Sequence, residues 1–178
     1  MILTDREIIS ALRSEQIIID PPPDVEAYSS TTVDLRLLNK FTTWKSSPGL
    51  PIRPGRAGYK YSDLIPMQTS TVVDQFEMIP MSFVLAWTKE IVTIPNSSRL
   101  AARVEGKSSM ARLGISVHVT APTIHCGFSG PVQLEMFNFG PHSVILDAGM
   151  RICQLVFEQT LGTPEKGYQG IFLNQIPP

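Results

Sequence analysis

Apolar and polar positions alternate with period two through most of this chain, and follow the helical period only at its start. Ile8, Ile9 and Leu12 come after Thr4-Asp5-Arg6-Glu7. In that T-x-x-E order the threonine can accept from a free helix amide while the glutamate reaches back, so a short helix is predicted over about residues 5–14. Ile17–Ile19 predicts a brief strand stopped by Pro21-Pro22-Pro23, and residues 20–30 a loop. In Thr32–Leu37, Val33, Leu35 and Leu37 share one strand face and Asp34 and Arg36 the other, with Phe41–Trp44 extending or following it. Residues 45–68 are rich in Pro, Gly, Ser and Tyr and predict an irregular excursion or flap.

Further strands are predicted over Thr71–Phe76, Ser82–Trp87, Glu90–Pro95 and Leu100–Glu105. After a turn at Gly106, residues 109–113 predict a helical turn. Ile115–Thr120 predicts a strand with Ile115, Val117 and Val119 on one face. Pro131–Asn138, Ser143–Leu146 and, past a turn at 147–150, Arg151–Gln159 complete the set. Short strands at intervals of about 8–12 residues suggest an antiparallel barrel or jelly-roll-like sandwich. Residues 162–178 read as an arm or lid on a single domain spanning 1–178.

Composition narrows the classes. The 178 residues carry 43% hydrophobic and 17% charged side chains, enough for a real core in one domain. Fifteen prolines and twelve glycines disfavour a helix bundle. A net charge of −1 offers no surplus for tracking a phosphodiester backbone, so no nucleic-acid partner is expected. No apolar run approaches the roughly 20 residues of a bilayer span, and the charged N-terminus does not read as a signal peptide, so no membrane partner is expected. Cys126 and Cys153 form no CxxC pair and read as small buried apolar residues of a reduced, cytoplasmic protein.

The candidate chemistry lies between Arg103 and Gly140. In Gly106-Lys107-Ser108-Ser109, glycine permits close backbone approach, lysine adds charge, and hydroxyls and turn amides add donors for phosphate oxygens. Without an upstream glycine (position 101 is Ala) this is no Walker A loop, and a plain polar turn is the alternative. Arg112, four residues past Ser108, shares a face with it if the stretch is helical and could clamp a phosphate or orient a carboxylate; a surface arginine is the alternative. Glu135 interrupts an apolar strand, sharing a face with Gln133 and Phe137 opposite Val132, Leu134 and Met136. Apolar neighbours raise a carboxyl pKa, which suits a general base near neutral pH; a solvent-facing or Arg112-paired glutamate is the alternative. His118, His125 and His142 and the two cysteines show no metal-ligand spacing, and no HxE precedes a PCxxC, so no catalytic zinc is expected.

These residues together resemble the dCTP deaminases, which group with the trimeric dUTPases. Leu3–Ile8 is similar to that family's opening S-D-x-x-I helix and Thr32–Leu37 to its SVDLRLG strand, with Leu38 where glycine is usual. Glu105–Gly114 resembles its E/D-G-R-S-S-x-x-R-L-G block. Val117–Ala121, Leu134–Asn138 and Arg151–Leu155 follow at its spacing. The resemblance implies a mainly β fold: a distorted antiparallel β-barrel, dUTPase-like, with a short N-terminal helix, forming a homotrimer with sites at subunit boundaries. It implies zinc-free hydrolytic deamination of dCTP to dUTP and ammonia. Glu135 would be the general base, Ser108 and the Ala121 carbonyl would hold the water, and Arg112 would fix Glu135. Lys107, Ser109 and Gln154 would contact nucleotide or phosphates, with Mg²⁺ accompanying the triphosphate. Lys166, Tyr168 and Gln169 would belong to a lid motif of the form K-Y-Q-G-Q, and dTTP would be a feedback inhibitor.

The departures shape the alternatives. Ile124-His125-Cys126-Gly127 stands where I-D-P-G is usual. His125 thus replaces an aspartate expected to hold the deoxyribose 3′-hydroxyl and, in dUTPases, to activate water. This weighs against a dUTPase-like pyrophosphatase or a bifunctional enzyme, and keeps open a non-catalytic nucleotide-binding paralogue or a shifted substrate. Lys107 replaces an arginine, keeping charge and losing bidentate geometry. Thr123 stands where the deaminase-only branch often has a basic residue, and the lid is expected to be short.

Overall fold

The computed structural model describes residues 1–45 and 51–170. Helix α1 (Asp5–Arg13) begins as its capping box dictates, with Thr4 and Glu7 each serving the other's backbone. Its inward residues Ile8 and Ala11 are buried. The strands are β1 (Ile18–Asp20), β2 (Val33–Trp44), β3 (Gln68–Val72), β4 (Gln75–Met78), β5 (Phe83–Thr93) and β6 (Leu100–Gly106). After the one-turn helix α2 (Ser108–Ala111) come β7 (Ile115–Ser116), β8 (Thr123–Ile124), β9 (Ser129–Asn138), β10 (Val144–Asp147) and β11 (Arg151–Gln159).

Among the described residues, nine strands make one sheet in the order β7-β9-β5-β2-β11-β6-β8, with β1 on β5 and β3 on β2; β10 and β4 pair separately. Every pairing is antiparallel. The sheet curls into the half-barrel form of the expected fold class. Its concave face holds the core: Val33, Leu35 and Leu37 of β2, Leu134 and Met136 of β9, Ile152, Leu155 and Phe157 of β11 are at most 1% exposed. Truncating such a side chain, Leu134→Ala for example, costs about 2–5 kcal/mol because the cavity cannot collapse fully.

Three expectations are corrected. Ser82–Trp87 and Glu90–Pro95 are one strand, β5, carried through its polar break by a bulge between Trp87 and Ile91. There the Thr88 hydroxyl accepts from the Val132 amide at 2.8 Å and donates to the Glu90 carbonyl at 2.9 Å. The buried Glu90 carboxylate accepts from the Arg36 amide at 2.8 Å and from Arg36 Nε at 2.7 Å. Side chains thus take the places of ladder partners the bulge removes.

Thr71–Phe76 is conversely split between β3 and β4, because Val73 N–H turns to Asn39 O and Asp74 O accepts from Ala148. Ile115–Thr120 ends as strand after Ser116, and Val119 is 56% exposed. Thr123–Ile124, for which no strand was predicted, pairs with β6. The excursion after Trp44 holds a 3₁₀ segment, Tyr61–Met67; its residues 46–50, like residues 171–178 of the expected lid, lie outside the described ones.

Candidate active site

The strict alternation of β9 turns Val132, Leu134 and Met136 into the core and leaves Gln133, Glu135 and Phe137 on the other face, as the sequence predicts. That face is one wall of a cavity of about 460 Å³. Opposite residues of β5 continue the wall: Leu85 pairs with Glu135 and Phe83 with Phe137. The segment from His118 to Phe128 folds over it and contributes His118, Ala121, Thr123, His125 and Phe128 to the lining. Burial pushes the Glu135 carboxyl above its usual range, while the backbone amides of Glu135 and Val119 pull the other way by favouring the anion. β7 ends at Ser116, and beyond it the Val119 amide comes near the Glu135 carboxylate. Beside it the buried His118 Nδ1 has no hydrogen-bond partner among the described residues.

One end of the cavity is closed by the tail. Tyr168 donates its backbone N–H to Cys126 O at 2.8 Å. Its ring stacks on His125 (centroids 5.9 Å apart, 15° between planes) and meets Phe128 edge-on at 6.2 Å. The other end is formed by Trp44, Tyr61 and Phe83, with Trp44 and Tyr61 edge to face at 6.4 Å.

The Gly106 turn is elsewhere. Gly106 ends β6, Lys107 caps α2, and the Lys107 ammonium pairs with the Asp34 carboxylate of β2. Gln154 of β11 locks the strands beneath, donating to Gly106 O at 3.0 Å and accepting from Thr32 Oγ1 at 3.0 Å. Ser108, Ser109 and Arg112 are exposed, and no side chain among the described residues bonds to theirs.

The predicted residues therefore fall into two groups. Glu135, Ala121, Thr123, His125 and Tyr168 meet in the cavity; Lys107, Ser108, Ser109, Arg112 and Gln154 form a separate surface that does not line it. Arg112 makes no ion pair with Glu135 within the chain. Lys166 and Gln169 are exposed beside Tyr168 and outside the lining. Sequence reasoning missed Trp44, Tyr61, Phe83 and Phe128 as lining residues, and Asp34 as the partner of Lys107. Period two did place Asp34 on the outward face of β2; no periodicity marked Tyr61. No group of three metal-ligating side chains is assembled among the described residues.

Comparison with known proteins places this geometry. The dCTP deaminase, dUMP-forming, of Methanobrevibacter smithii is 40% identical over 167 residues, 92% of this chain and 82% of that protein. The dCTP deaminase of Marinomonas sp. is 38% identical over 173 residues, 94% of this chain and 88% of that protein. The crystal structure of 2′-deoxycytidine 5′-triphosphate deaminase from Agrobacterium tumefaciens superposes with a TM-score of 0.66 at 22% identity, covering 89% of this chain, which spans 48% of that longer one; the likeness is one of fold. A family model described as dCTP deaminase-like matches residues 2–160. By the extent of that match, and by identity sustained across nearly all of its length, this chain belongs to the dCTP deaminase-like family.

Proposed function

We propose that this protein hydrolyses the 4-amino group of dCTP, giving dUTP and ammonia, in sites completed between copies of the chain. The observation that carries the reading is Glu135: a carboxylate half-buried on the wall of a nucleoside-sized cavity that Ala121 also lines, its affinity for a proton raised. Burial makes this carboxylate a better acceptor of a proton from water as the oxygen attacks C4, and the proton can then pass to N3 or the departing amine. Ala121 O would hold the water from one side.

The other donors have to come from outside this cavity, because Ser108 and Arg112 of the same chain do not reach it. In a ring of three copies the exposed turn of one chain faces the cavity of the next. Its Ser108 would hold the water and its Arg112 would fix Glu135, with Lys107, Ser109 and Gln154 on the phosphates. Mg²⁺ would arrive on the triphosphate oxygens, as it commonly does where a protein supplies no cage of its own. Thr123, His125 and Tyr168 would border the sugar, with Lys166 and Gln169 closing from the tail.

Purified protein incubated with dCTP, CTP, dCMP and deoxycytidine, with ammonia and uracil product measured, tests the reading. Turnover of dCTP supports it; a folded oligomer that deaminates none of the four ends it. A second reading has one observation in its favour: the Methanobrevibacter relative is named as forming dUMP. Release of pyrophosphate alongside ammonia would establish that activity here. Against it, the position expected to activate water for that step holds His125, whose ring is stacked on Tyr168.

A further inference from the structure

The cavity extends past Glu135, away from the His125–Tyr168 end, into a corner walled by Trp44, Tyr61 and Phe83. Register fixes where this corner lies. Glu135 is opposite Leu85, and Leu85 is opposite Thr42 of β2. Phe83 and Trp44, two residues further along their strands, therefore form the next row on the same face, about 7 Å on. Tyr61 stands edge-on against Trp44 across that row.

In cytosine the sugar-bearing N1 and the amino-bearing C4 are on opposite sides of the ring. A nucleotide with its sugar at the His125–Tyr168 end and C4 at Glu135 directs its exocyclic amine at the aromatic corner. Ammonium and, more strongly, methylated ammonium groups are held by such faces through the ring quadrupole, and a methyl group is better accommodated there than by polar walls. We infer that the Trp44–Tyr61–Phe83 corner is a leaving-amine subsite, and that it admits N4-methylated cytosine nucleotides as substrates.

The chemistry balances as for the unsubstituted base. Water oxygen bonds to C4 as one water proton passes through Glu135 to N3. The second proton then moves to N4, the C4–N4 bond breaks with its electron pair on nitrogen, and C4=O forms as methylamine leaves. This inference rests on the deaminase reading, and the experiment separates the two. Wild-type oligomer is given dCTP and N4-methyl-dCTP in parallel, with ammonia and methylamine quantified. Expected is methylamine release with kcat/KM no more than about tenfold below that for dCTP, the small end of what one methyl group costs in a fitting apolar pocket. A larger deficit while dCTP is turned over overturns the subsite alone; failure of dCTP itself overturns the reading beneath it. Trp44→Ala is expected to lower kcat/KM for N4-methyl-dCTP at least about tenfold more than for dCTP. An equal loss on both substrates also overturns the subsite. Should that variant misfold, the wild-type comparison still decides.

Discussion

The cavity around Glu135 and the turn around Ser108 are built in opposite ways. In the cavity, functional atoms are placed by long strands whose alternate residues are locked in the core, and by a loop whose amide and aromatic contacts are made within the chain. At the turn only the base is fixed, by Lys107 on Asp34 and Gln154 on Gly106, while Ser108, Ser109 and Arg112 project outward. One region holds an acid in want of donors; the other holds donors in want of an acid. On the proposed reading, a chain that carries both halves on separate surfaces is a component of a site that assembly would finish.

The sharpest way to break this comparison is Glu135→Gln. It is expected to lower kcat by about 10³-fold, as loss of a general base does, while assembly by size-exclusion chromatography and equilibrium dCTP binding persist. Retained turnover would take the chemistry out of the cavity. Next, Glu135→Gln and Arg112→Ala chains, each inactive alone, are co-assembled in equal amounts. Random mixing leaves about a quarter of interfacial sites with both residues intact, so activity returns to about that fraction of wild type. No recovery would confine both halves to one chain.

Lys107→Ala is expected to raise KM for dCTP about tenfold with kcat little changed, the mark of a contact made equally before and during reaction. The smallest effect concerns pH. Because burial raises the Glu135 pKa, the ionised base is lost as pH falls through a value above the ordinary 4.5, so the acid limb of kcat/KM lies above that figure. The same shift means that ionising Glu135 works against folding: its contribution to stability is complete below the unfolded pKa and fades as pH rises through the folded one. Glu135→Gln should therefore melt slightly higher than wild type at pH 7, in a differential scanning experiment, while being the less active protein.

The facing of Glu135 was legible because β9 alternates without a break, and alternation maps directly onto the pleat. Between Ile115 and Val119 the same pattern misleads. Apolar spacing continues, but the Val119 amide lies near the carboxylate of Glu135, far along the chain on another strand, which no local pattern records. β5 erred in the other direction. Thr88-Lys89-Glu90 reads as a polar gap, yet the Thr88 hydroxyl and Glu90 carboxylate restore the missing hydrogen bonds, so the strand runs on. Trp44 joins the cavity from the end of β2 and Tyr61 from the excursion without periodicity that follows, and their convergence is a tertiary event. The turn itself was legible as a turn, since Gly106 ends β6 and Lys107 caps α2, while its proposed phosphate role comes from residue types and family resemblance.

Where α2 runs into β7, Gly114 (φ +89°) lies against Gly140 just past the end of β9. A Cβ on Gly114 would come within 2.4 Å of the Gly140 nitrogen, and one on Gly140 within 2.1 Å of the Leu113 oxygen. The obstacle on each side is main chain, which no exchange of side chains can remove. Ordinary pairs in a core drift together, one growing as the other shrinks; this pair has no such path. Across descendants of this sequence the two positions are expected to be frozen independently, each a dead end for mutation whatever its neighbour becomes.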